Sequence, residues 1–149
     1  MRTAASIKNW ANASTVKELE HIHHNDVNIA IYDRDIAHLK EEINSLIDSQ
    51  VELRLSGEIE SINNKLELEL NQHKSIAKDI SYLLHIFQGL TEAKSFRLLL
   101  ATINTNMCRR FHTDINNLRL LCTYSGPGTL WLTEDNVNRN ALNSCGDNE

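Results

Sequence analysis

The chain has 149 residues, 41% hydrophobic and 23% charged, which is enough for one globular domain with its own core. Its 15 basic and 20 acidic residues leave a net charge of −5 and no dense Lys/Arg cluster. Nucleic acid, which needs a basic face to displace counterions, is therefore not an expected partner. No stretch approaches the roughly 18 apolar residues of a membrane span, so no membrane partner is expected either.

The first residues lack the continuous apolar segment of a secretory signal. The cysteines are Cys108, Cys122 and Cys145. An odd count without a signal points to reduced thiols and a cytoplasmic location.

Residues 1–26 are polar and irregular, and read as a loose lead-in. His21, His23 and His24 within them precede no second ligand group at metal spacing and read as a solvated loop. From Asp26 to Tyr32, Val27, Ile29 and Ile31 alternate with Asn28 and Ala30, which predicts a short strand. Asp33 is placed to cap the helical segment after it. Between Asp35 and Ser49, Ile36, Leu39, Ile43, Leu46 and Ile47 recur at steps of three and four, the signature of one helical face. Val51 to Leu55 alternates with period two and predicts a strand closed by Ser56-Gly57. Helical spacing returns from Glu58 to His73 through Ile59, Ile62, Leu66 and Leu70. It returns again after Ser75, a candidate cap, through Ile76, Ile80, Leu83, Leu84, Phe87 and Leu90.

The segment Phe96 to Ile103 is assigned as a strand. Leu118 to Tyr124, an apolar run broken by Arg119, reads as a mostly buried strand. Gly126-Pro127-Gly128 then supplies a turn, and Thr129 to Leu132 the returning strand. The expected architecture is α+β: helices packed on an incomplete antiparallel β-sandwich of jelly-roll, oxygenase-like type. One domain would span 1–132, followed by a polar, Asn-rich, disordered tail over 133–149. Hairpin strands with no later partners leave exposed edges, which reads as a chain with a missing or replaced C-terminal end.

The candidate chemistry lies in Phe111-His112-Thr113-Asp114. On a strand, residues i and i+2 face the same side, about 6 to 7 Å apart along the chain. His112 and Asp114 are then two of the three ligands in a 2-His-1-carboxylate site, which holds Fe(II) with open positions for oxygen and substrate. The missing ligand is a second histidine, and none follows His112 in this sequence. A zinc site through Cys108, His112, Asp114 and Cys122 is the alternative, since zinc accepts sulfur, nitrogen and oxygen. Blander accounts are that Asp114 caps a turn and bonds His112, and that Arg109-Arg110 forms a solvated basic turn. Arg119, inside an apolar run, would need a carboxylate partner if buried. With Tyr124 it is assigned to contact a small-molecule substrate.

At these residues the chain resembles a bacterial family of proteins of unknown function, DUF1826. The resemblance is carried by Cys108-Arg109-Arg110-Phe111-His112-Thr113-Asp114, by Leu118-Arg119-Leu120, and by Thr123-Tyr124-Ser125-Gly126-Pro127-Gly128-Thr129 with Trp131. Asn28 to Tyr32 adds to it upstream. It implies a cytoplasmic protein of proteobacterial type with no settled activity. It also implies a further His-Arg-Ser segment that would complete an oxygenase-like site. The residues after Thr133 depart from that pattern, so a truncated or frameshifted member lacking activity is expected. A zinc-binding or metal-homeostasis protein, or a structural relative without activity, are the other readings.

Overall fold

Residues 8–105, 111–113 and 116–142 are described by a computed structural model of the chain. They divide into two compact units, one made of 35–105 and 120–126, the other of 8–34, 111–113, 116–119 and 127–142.

The first unit is built on the helical stripes. Helix α1 (Lys40–Asp48) follows a 3-10 turn, Ala37–Leu39, and buries Ile43 and Leu46. That turn is started by Asp35, whose carboxylate accepts the Ala37 amide at 2.9 Å; Asp33 does not take this role. Helix α2 (Ile59–Glu69) buries Ile59, Ile62 and Leu66, and helix α3 (Lys74–Gly89) buries Ile76, Ala77, Ile80 and Leu84. Each of these sets follows the three-and-four spacing that puts side chains on one face. Ile62 and Ile76 are fully inaccessible. Removing each from water stabilises the unit by about 1.5–3 kcal/mol.

Strands β3 (Glu52–Gly57) and β4 (Phe96–Ala101) pair antiparallel, with Leu53 opposite Leu100 and Leu55 opposite Leu98. These four leucines are half-buried against the helical core. Phe96 closes its end, with its ring 5.7 Å from that of Phe87.

The exit from α1 shows how closely this unit is specified. Gln50 takes φ 53°. Its amide donates to the Ile47 carbonyl at 3.0 Å, and the Val51 amide donates to Leu46 at 3.1 Å. This paired pattern satisfies the last helical carbonyls and turns the chain straight into β3.

In the second unit, β1 (Trp10–Ala13) and β2 (Ile29–Tyr32) pair in parallel, Trp10 with Ile29 through Ala13 with Tyr32. A 3-10 helix, Val16–His23, lies between them. The lead-in is therefore ordered from residue 8 onward, against expectation. Side chains fix it: the Trp10 ring meets Trp131 edge-on with centroids 6.0 Å apart, and the Lys8 ammonium sits 4.1 Å above the Trp10 ring. Asn9 is buried; its carbonyl accepts the Asn28 amide at 2.7 Å and its side-chain oxygen accepts the Glu134 amide at 3.3 Å. Of the polar tail, the described part carries a 3-10 turn, Glu134–Asn136, and a short helix α4 (Arg139–Leu142), neither with a buried residue.

The mixture of helix and strand is as expected, but a sandwich is not what the described residues form. They hold two sheets of two strands each, and neither 118–124 nor 129–132 is a strand. The run 118–124 does alternate, with Leu118, Leu120, Cys122 and Tyr124 half-buried and Arg119, Leu121 and Thr123 exposed. Period two reports how side chains alternate, not whether a neighbouring strand supplies the ladder. Phe96–Ala101 pairs with β3, and no strand of the described residues pairs with 118–124. Gly126 and Gly128 do adopt positive φ, 90° and 76°, so the turn exists without the hairpin.

Candidate functional site

The residues singled out from the sequence fall into different surroundings. His112 lies in a stretch, 111–113, that is neither helix nor strand, and is exposed together with Phe111 and Thr113. Asp114 lies outside the described residues, as do Cys108, Arg109, Arg110 and Cys145. The described residues thus supply one donor of the expected pair. Among them, no group of three His, Cys, Asp or Glu side chains is disposed to hold a metal ion.

Arg119 is exposed, and the strand expected to enclose it does not form. Cys122 is half-buried and not in a disulfide.

Tyr124 is half-buried and packs against the helical core. Its hydroxyl donates to Asp79 Oδ2, on α3, at 2.6 Å. A phenol–carboxylate bond this short is charge-assisted and among the stronger side-chain bonds. It ties segment 120–126 to α3.

A second polar cluster was not visible in the sequence. Glu42, on α1, accepts the amides of Ser75 at 3.2 Å and Ile76 at 2.9 Å, at the start of α3. These are amides that no residue within the helix can satisfy, and Ser75 itself does not cap it. Desolvation of the carboxyl opposes its charge. The Ile76 amide, the Ser75 hydroxyl and amide, and the nearby His73 together outweigh that cost, and hold Glu42 below the ordinary carboxylate range. His73 Nε2 and Ser45 Oγ share a hydrogen bond of 2.9 Å beside it. The arrangement is a helix cap supplied from another helix.

With that geometry in view, the comparisons decide the family. A family model described as "Protein of unknown function (DUF1826)" matches residues 13–149. The chain belongs to that family. Neither the curated proteins nor the solved structures give a match. The DUF1826 chain has no helix, among its described residues, long and apolar enough to cross a membrane.

Proposed function

We propose that this DUF1826 protein binds a transition-metal ion through the segment around His112, with His112 and Asp114 as ligands, and serves cytoplasmic metal handling. The observation that carries the reading is the exposure of His112 in a stretch of irregular chain. That surface stretch carries a carboxylate, Asp114, two residues on in the sequence and the Cys108 thiol four residues before. Nitrogen, oxygen and sulfur donors together suit zinc. Fe(II) oxygen chemistry is the less supported version, because its ligand strands belong to a sandwich and the described residues hold only two-stranded ribbons.

The test is metal content of the full chain, loaded separately with zinc and, anaerobically, with Fe(II). The measurement compares wild type with His112→Ala, Asp114→Asn and Cys108→Ser. About one tightly held zinc per chain is expected, as for a single tetrahedral site, and it should be lost in His112→Ala. Equal metal in wild type and His112→Ala would refute the reading. Iron held in preference to zinc would restore the oxygenase version.

A non-catalytic packing module is a second reading. It is favoured by the bond from Tyr124 to Asp79 and by the contact of Trp131 with Trp10, which give two motif residues structural work. On that reading, neither metal raises the melting temperature, because a ligand that binds only the native state must raise it.

A further inference from the structure

The two faces of the β3–β4 ribbon are built differently. The inner face is leucine. The outer face carries Arg54 and Ser56 from β3, and Arg97 and Leu99 from β4, all exposed. The register sets Arg54 opposite Leu99 and Ser56 opposite Arg97. Arg54 and Arg97 therefore spring from diagonal positions of the ribbon, about 7–8 Å apart at the backbone, a gap that long side chains can bridge. With Leu55 and Leu98, these four residues border a shallow, open depression of about 300 Å³.

The charge on this face is unbalanced. Arg54 is oriented by Glu52, whose Oε1 accepts Nε at 3.0 Å and lies 2.9 Å from Nη2. That leaves its Nη1 edge open. Arg97 has no ion pair or side-chain hydrogen bond with the described residues, and neither does the Ser56 hydroxyl. Two cations share one acid on one small face of a chain whose net charge is −5.

The geometry points to an anion site here, for a phosphomonoester bearing a small apolar group. The Arg97 fork offers two parallel N–H donors, Ser56 a third, and Arg54 a fourth together with a second positive charge. A dianionic phosphate has the oxygens and the charge to use all of them. Leu99 borders the place where the apolar group lies. A monocarboxylate, with two oxygens and one charge, leaves half of these donors unused.

The experiment titrates the uniformly 15N-labelled full chain with phenyl phosphate, benzoate and benzyl alcohol, following amide shifts. Phenyl phosphate is expected to give saturable shifts confined to β3 and β4 and weakened by salt. Arg97→Ala and Arg54→Ala should each weaken it about tenfold, the loss of one charged hydrogen-bonding partner. Arg97→Lys keeps the charge without the fork and should fall between wild type and Arg97→Ala. His112→Ala should bind phenyl phosphate as wild type does, which separates this site from the metal site.

These side chains are exposed, so the variants should keep wild-type spectra. Should Arg97→Ala fail to fold, Arg97→Lys carries the comparison. No saturable shift on the ribbon, undiminished binding in the arginine variants, or benzoate or benzyl alcohol binding as tightly as phenyl phosphate would each overturn the proposal.

Discussion

Replacing Glu42 by glutamine isolates the charge of a cap that one helix provides for another. In the native protein the carboxylate takes two orphan amides at the head of α3. A cap of this kind is worth about 1 kcal/mol, within a range of about 0.5–2, and the negative charge at a helix start contributes about 0.3–1 kcal/mol. Glutamine retains a carbonyl that can hold one amide, but loses the charge and the second acceptor. The expected loss for Glu42→Gln is about 1 kcal/mol at neutral pH, on these same capping and dipole magnitudes.

The pH dependence carries a sign. Glu42 is held below its ordinary value of 4.5, so its contribution is complete above the unfolded-state pKa and disappears as pH falls through the folded-state one. The gap between wild type and Glu42→Gln should therefore close in acid. Urea unfolding followed by helical circular dichroism at neutral and acid pH reads this directly, since urea leaves the electrostatics unscreened. An equal deficit at both pH values would show that the charge is irrelevant. No deficit at neutral pH would show that the cap is.

Two further outcomes rest on packing. Ile62 is fully buried in the hydrophobic core cluster, so Ile62→Ala should cost about 2–5 kcal/mol in the same urea assay. Tyr124→Phe keeps the ring against the core and removes only the bond to Asp79. It should cost about 1–2 kcal/mol, discounted for its partial exposure from the range for bonds to charged groups. In an Asp79→Asn background the loss should be smaller, and additivity in that double-mutant cycle would argue against the bond.

Much of the helical unit was legible in the sequence because its helices bury narrow stripes. The three-and-four spacing through Ile43 and Leu46, Ile59 to Leu66, and Ile76 to Leu84 is the core itself. β2 and β3 were legible from alternation, whereas in β4 residue type left helix and strand competing. What escaped was everything that depends on partners distant in the chain. Trp10 to Ala13 carries no pattern, and becomes a strand only because β2 and Trp131 meet it. Ser75 has the residue type of a cap for α3, but the group that caps it lies 33 residues before it, on α1. The alternation of 118–124 was real, yet its ladder was not, since neither it nor the expected returning segment 129–132 forms a strand. Of the candidate site, His112 lies at the surface, whereas the enclosure of Arg119 depended on a strand that does not form.

The β3–β4 ribbon also bears on how the unit assembles. Its strands are not joined by a tight turn; helices α2 and α3 intervene. Bringing such distant ends together costs a few kcal/mol of chain entropy, about (3/2)RT ln n for n intervening residues. The helices repay that only once they have gathered into a hairpin that shortens the effective gap. The ribbon should thus zip late, as a clasp on a helical pair already in place, and loosening α2 against α3 should slow its closure more than altering the strands does.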